Sequence, residues 1–544
     1  MNLKFEAPTF LQFAIIMSCV KLLLLNSYKS TDFEVHRNWL AITYTLPVSE
    51  WYFEETSEWT LDYPPFFAWF EYALSQVAVY FDDQMLDLDN LGYNSVQTVL
   101  FQRLSVIVMD LVLLYSLHKF YDQLFQGKDD DNTKMFLLVS IFANSGLLLV
   151  DHIHFQYNGF LFSFLLLSIT DMLQDKFLPS AFWFTVLLNF KHIFLYIAPC
   201  YFVYLLRNYC FRRPIQKSWF TIFGVDILQL SIFNVLKLAF VVIGVFMISF
   251  GPFIYLEQIP QVVSRLFPVK RGLCHAYWAA NFWAVYATTD KVLTIAGPKL
   301  GLPISKQSDV ASMTGGLVAQ QNFSVLPNIP AIVTGIVTIL FMLPALLRVW
   351  YRPYSVKTFL PCLTLCAYAS FLFGYHVHEK AILLVVIPLT LLALLSSKYA
   401  RVYIVLSITG HYALFPLLYQ PAETPLKILI LLLPTLITLA LLKKIHKVEN
   451  GFFGLPFVTW YESLYLYGLA PLYLYTEFGH QILGFQEILP FVPLMMTSFY
   501  CSIGVIWSWL LLYSDFLLEV EKEEPKKKQD ASSNTKRKTK KKIQ

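Results

Sequence analysis

Long apolar blocks separated by short polar segments run along this chain almost from end to end. They lie near residues 8–26, 101–121, 135–150, 155–173, 177–190, 192–206, 219–250, 328–348, 357–374, 379–397, 402–419, 426–442, 453–475 and 486–513, fourteen in all. Most approach the ~20 residues that a helix needs to cross a hydrocarbon core about 30 Å thick. The pattern therefore predicts an all-α polytopic membrane protein with about fourteen transmembrane helices. Block 219–250 is long and carries Asp226 and Lys237, so part of it is expected in the interface. Residues 10–25 could pass for a signal peptide. No small-residue cleavage site follows, so the block reads as a retained first span.

Composition supports this reading. Of 544 residues, 56% are hydrophobic and 14% charged, against about 25% charged in a soluble globular chain. Basic clusters orient the spans: Arg207, Arg212, Arg213 and Lys217; Arg348, Arg352 and Lys357; Lys398 and Arg401; Lys443, Lys444 and Lys447; and the tail. With all of these in the cytosol the fourteen spans alternate without conflict, and both termini are cytosolic. The expected organisation is a first helix at 1–26, a 27–100 loop with an interfacial helix, and helices over 101–250. A 251–327 loop, helices over 328–513 and a basic cytosolic tail over 514–544 follow.

The tail ends Lys541-Lys542-Ile543-Gln544, which resembles a di-lysine retrieval signal of endoplasmic-reticulum membrane proteins. The opposite compartment is then the lumen, and Asn322-Phe323-Ser324 places a glycosylation sequon in the 251–327 loop. A solvated basic tail needs no nucleic acid to explain it. The seven cysteines lie mostly in or beside apolar blocks with no paired metal spacing, so neither a disulfide framework nor a zinc site is expected.

The unusual polar clusters fall almost entirely in the segments assigned to the lumen. Ionisable residues at membrane depth are costly and usually mark a site. The first cluster, Thr31 to Trp39, sets Asp32 and Glu34 beside His36 and Arg37 just after the first span. It reads either as a polar loop anchored by Trp39 or as a general base held at the bilayer surface. The second is Leu61-Asp62-Tyr63-Pro64-Pro65, which opens an aromatic interfacial helix over Phe66 to Phe81 and presents Asp62 at its start. The third is Asp151-His152-Ile153-His154-Phe155-Gln156-Tyr157-Asn158. Its spacing fits no zinc motif and suits sugar or phosphate contacts better than a metal. The fourth carries Arg265, Lys270 and Arg271 among aromatics, on the side that positive charge normally avoids, which suggests a bound phosphate. The fifth is Tyr375-His376-Val377-His378-Glu379-Lys380 at the mouth of a span. A self-satisfied Glu379–Lys380 pair is its plain alternative.

At these clusters the sequence resembles the endoplasmic-reticulum glucosyltransferases that complete the lipid-linked oligosaccharide for asparagine-linked glycosylation. The resemblance runs from about residue 28 to the last spans. Asp32-Phe33-Glu34, Leu61-Asp62-Tyr63-Pro64-Pro65, His154-Phe155-Gln156-Tyr157-Asn158 and His378-Glu379-Lys380 carry it as a set. The segments 151–160 and 270–278 favour the branch that adds the second glucose over the branch that adds the first. Ser163 and Ala280 depart from the expected glycine and proline without touching ionisable positions.

The resemblance implies a C-type glycosyltransferase fold. It implies inverting transfer of glucose from dolichyl-phosphate glucose to a dolichyl-pyrophosphate-linked oligosaccharide, forming an α-1,3 bond, with no cofactor and no metal. It makes Asp32 the general base and Asp62 a supporting carboxylate. Donor or acceptor contacts are expected from Glu34, Asp62, Asp151, His152, His154, Gln156, Asn158, His376, His378 and Glu379. The donor phosphate is expected to meet Arg265, Lys270, Arg271 or Lys380. A lipid or sugar carrier would instead show repeated halves and broken helices around a midplane site, and no internal repeat is visible.

Overall fold

Among the described residues, each apolar block contains helix. The computed structural model describes residues 8–125, 130–211, 221–222, 225–226, 229–267, 272–274, 278–300, 323–352, 356–448 and 454–518. The basic tail, Asn322, Lys270 and Arg271 lie outside those residues. Among the described residues, seven helices are long and apolar enough to cross a membrane by length and composition, from Val96–Leu124 to Val492–Leu518. Shorter apolar helices, such as Asn158–Leu173 and Phe177–Phe190, fill other blocks. The block at 219–250 begins later than its hydropathy suggests. Ser231 caps a helix over Ile232–Tyr255, and the residues before it include a two-residue antiparallel ladder with Thr221 opposite Asp226.

The helices sort by burial. The run Asp131–Phe155 is buried along its apolar window, and every residue of Leu383–Ala393 is buried. The helices Ile232–Tyr255 and Ala331–Tyr351 instead expose large apolar side chains, including Phe240 and Ile332. Exposed apolar surface on this scale suits lipid, because hydrocarbon imposes no penalty on it. Polar clasps tie the inner helices together. Arg401 donates to both carboxylate oxygens of Glu462, which also accepts from Trp507 Nε1 at 2.7 Å.

The 27–100 stretch, expected as a loop with one interfacial helix, holds a further helix ahead of it. Helix α1 (Phe10–Leu23) is followed by α2 (Thr31–Thr45), α3 (Pro65–Ala78) and α4 (Val96–Leu124). The cause is local. The Ser30 side chain accepts from Phe33 N and caps α2, and Asp32 and Glu34 in its first turn complement the positive end of the helix dipole. Pro65 at the first position of α3 has the backbone angle a helix start requires. Helix α2 also fixes the segment ahead of α3: Asn38 Nδ2 donates to Trp59 O and Trp39 Nε1 donates to Thr60 O.

The third polar cluster is largely helical. It ends a broken helix whose last section, Leu148–Phe155, is a π-helix. Such wide turns recur at functional sites.

Candidate active site

The first turn of α2 and the end of the π-helix meet at one carboxylate. Asp32 Oδ2 accepts from Gln156 Nε2 at 2.5 Å and from Lys380 Nζ at 2.7 Å, and lies 3.3 Å from His154 Nε2. Three of the five sequence clusters thus converge on Asp32. Its side chain is only 20% exposed. Burial alone would raise the Asp32 pKa. The Lys380 ammonium outweighs that effect and holds the carboxyl well below the usual carboxylate range.

Behind Gln156 runs a chain of aligned donors. Lys191 Nζ donates to Asn158 Oδ1 at 3.1 Å, and Asn158 Nδ2 donates to Gln156 Oε1 at 2.8 Å. The same Asn158 amide donates to Asp151 Oδ1 at 2.8 Å, and Gly159 N donates to Asp151 Oδ2 at 2.7 Å. Every Asn158 and Gln156 amide direction is consistent with a flow of donors from the lysine to Asp32. Lys191 also lies 4.9 Å from the centre of the Tyr63 ring. Burial first, then the Lys380 charge, pull its pKa down to about 8, against Asp32, Asp151 and Asp62. A second ammonium therefore belongs to this site, at the junction of two apolar blocks. Its signal in the sequence is an ionisable residue in an otherwise apolar stretch.

The backbone that presents these groups is strained and clamped. Phe155 has φ 91°, a conformation that a bulky residue rarely adopts. Its buried ring is held against Phe33, His36 and Tyr157, with centroids 5.3 to 5.6 Å apart. His36 in turn bonds Glu71 of α3, Nδ1 to Oε1, at 2.7 Å. Burial raises the pKa of Glu71 and the bond to His36 opposes the rise. On the other side, Arg103 of α4 donates to the carbonyls of His152, Ile153 and Tyr28, at 2.5, 3.1 and 2.8 Å. A buried triad lies beneath: Asp110 Oδ2 takes Lys21 Nζ at 2.6 Å and His152 Nε2 at 2.8 Å. The sequence pointed to none of Arg103, Asp110 or Lys21, which sit singly in apolar spans. Their partners become visible only once the helices pack.

Other expected site residues take different places. Glu34 pairs with Arg37 at 2.8 Å, and Arg37 also donates to Met85 O and Asp87 O. His152 faces Asp110. Asp62 is half-buried and acts on Lys191 through its charge. Arg265 donates to Tyr52 O at 3.0 Å and pairs with Glu55, not with the group around Asp32. His376 Nδ1 contacts Gly272 O at 2.7 Å, and a parallel bridge pairs Cys274 with Val377. The segment after Arg271 thereby holds the His376–Lys380 turn in place. His378 precedes the short 3₁₀ turn Glu379–Ile382, in which Glu379 is buried. Among the described residues, no three His, Cys, Asp or Glu side chains are grouped to hold a metal ion.

An ionised carboxylate flanked by an ammonium and an imidazole can accept a proton beside a developing negative charge. Relatives of this chain are known. A mouse protein named dolichyl pyrophosphate Glc1Man9GlcNAc2 alpha-1,3-glucosyltransferase is 49% identical over 93% of this chain and 95% of its own. Proteins of the same name from Neurospora crassa and Schizosaccharomyces pombe are 45% and 44% identical, over 92% of this chain and 97% and 96% of theirs. The profile of the ALG6, ALG8 glycosyltransferase family matches residues 17–512, so this chain belongs to that family.

Proposed function

We propose that this protein transfers glucose from dolichyl-phosphate glucose to the dolichyl-pyrophosphate-linked oligosaccharide Glc1Man9GlcNAc2, forming an α-1,3 bond with inversion. The acceptor is the one in the names of its relatives. The observation that carries the chemistry is Asp32, ionised and 2.7 Å from Lys380. Asp32 takes the proton of the acceptor hydroxyl as it attacks the anomeric carbon. The bond to the lipid phosphate breaks, and its electron pair leaves with the phosphate oxygen. Lys380 and Lys191 are the cations placed to stabilise that charge; Lys270 and Arg271 remain candidates from the sequence. Gln156 and Asn158 orient the carboxylate, and Asp62 supports the acceptor side.

The reaction centre faces the lumen of the endoplasmic reticulum, and the C-terminus faces the cytosol. The alternation of basic clusters supports that orientation.

The test is an assay of the purified full chain with dolichyl-phosphate glucose and two acceptors, one monoglucosylated and one non-glucosylated. Transfer to the monoglucosylated acceptor alone is expected. The reverse preference would make this the first-glucose enzyme. No transfer to either would overturn the reading.

A further inference from the structure

His154 is poised to do more than flank the base. Its Nδ1 lies 2.5 Å from Tyr28 Oη, and Tyr28 Oη lies 2.6 Å from Leu417 O. A carbonyl can only accept, so the single Tyr28 proton serves Leu417. The Tyr28 oxygen is then the acceptor for Nδ1–H. That assignment fixes the tautomer: Nε2 carries a lone pair. This lone pair accepts from Lys380 Nζ at 3.3 Å and lies 3.3 Å from Asp32 Oδ2. The backbone of His154 is held as firmly, through its carbonyl to Ser30 Oγ and through Arg103 on the carbonyls just before it.

We propose that His154 Nε2 receives the proton that Asp32 removes from the acceptor hydroxyl, so that His154 is the proton-holding partner of the base. The inference rests on the glucosyl-transfer reading above. A carboxylate this strongly stabilised as an anion holds a proton poorly, and the imidazole gives the proton a second residence. The charges balance. The proton leaves the acceptor oxygen as that oxygen bonds to the anomeric carbon, passes through Asp32, and ends on Nε2. The phosphate gains one negative charge when its bond to glucose breaks. Lys380 withdraws its N–H from Nε2 toward the phosphate, and the new imidazolium replaces it as counter-ion to Asp32. The groups that face His154 are Asp32 from α2, Lys380 and Glu379 from the 3₁₀ turn, and Tyr28 from the segment before α2, while Arg103 from α4 holds the carbonyls just before it.

The experiment compares wild type, His154→Gln, His154→Ala and Tyr28→Phe in the full chain, with a thermal melt on each. His154→Gln is expected to lower kcat by about 10–100-fold, less than the 10²–10⁴-fold of a lost base. Its donor KM should stay within about twofold. Added imidazole should restore turnover to His154→Ala in proportion to the neutral imidazole present. Tyr28→Phe should lower kcat and change the acid limb of the pH profile, because it frees the tautomer. A His154→Gln enzyme within about twofold of wild-type kcat would overturn the inference. So would a folded His154→Ala enzyme that imidazole does not restore, or an unaltered Tyr28→Phe profile if the His154 variants do not fold. Asp32→Asn inactive beside a fully active His154→Gln would sink the relay alone and leave the glucosyl-transfer reading standing.

Discussion

Lys380 donates to Asp32 Oδ2 at 2.7 Å across 348 positions of sequence. One ammonium thus connects the start of α2 with the mouth of a span in the second half of the chain. That contact joins the proposed base to a cation proposed to meet the leaving phosphate.

The first prediction concerns Asp32 itself. Asp32→Asn keeps an oxygen that Gln156 and Lys380 can reach, and removes the charge. Initial rates at saturating substrates should fall by about 10²–10⁴-fold. Asp32 is not the exposed loop residue that the sequence suggested, so a modest fall in Tm should accompany the loss. Glu34→Gln should behave differently, because Glu34 serves the fully buried Arg37. It should lower stability by about 1–3 kcal/mol and turnover much less. Near wild-type turnover in Asp32→Asn would remove Asp32 from the base role.

The second prediction is a pH effect with a definite sign. Lys380 is the largest of the influences that lower the Asp32 pKa against the opposing effect of burial. Lys380→Met therefore raises that pKa, and the acid limb of the rate profile should move to higher pH. The native pairing of Asp32 contributes stability above the ordinary carboxylate pKa and loses it as pH falls through the depressed one. The stability advantage of wild type over Lys380→Met should therefore be full near neutral pH and shrink as pH falls through the depressed value. An acid limb that stays in place would separate Lys380 from the base.

Arg103 gives a third. Arg103→Met leaves three buried carbonyls without their donor, each at a cost of about 1–3 kcal/mol. Tm and turnover should fall together, in contrast to Asp32→Asn. Arg103→Lys should recover only part of both, because one ammonium cannot match the fork of a guanidinium. Full activity in a stable Arg103→Met would show that the π-helix end needs no clamp.

Gly159 gives a fourth. A Cβ there would sit 2.7 Å from Asp110 Oδ1 and 3.5 Å from Asp151 Oδ2. Asp110 cannot swing away freely, because Lys21 and His152 both hold it. Gly159→Ala should cost about 1–3 kcal/mol and slow the enzyme through His152 and its neighbours. A melt equal to wild type would mean that the triad beneath the site yields easily.

Orientation is the fifth. Protease added to sealed microsomes should remove the basic tail and spare the 251–327 segment, as an antibody to each would report. A protected tail would reverse the topology and remove the retrieval reading with it.

Much of this protein is written in local pattern. Bilayer thickness sets the length of an apolar block, so a polytopic helical protein is legible in the amino-acid string alone, and seven described helices are long and apolar enough to span. Clustered ionisable residues at block ends are rare enough to mark a site, which is why Asp32, His154, Gln156 and Lys380 stand out even without their partners. Capping is legible too, yet the polarity around Thr31 suggests a loop and masks the Ser30 cap and the acidic first turn that make it a helix. What the sequence does not express is partnership. Glu34 and Asp32 look equivalent in a string, and only packing gives one to Arg37 and the other to Lys380. Lys191, Arg103, Lys21 and Asp110 each stand alone in apolar stretches, where a single charge reads as noise. Their meaning depends on which helix lies opposite, a property of long-range packing that no local spacing encodes. The π-helix ending at Phe155 belongs with them, because its strained backbone persists only where surrounding rings and Arg103 hold it.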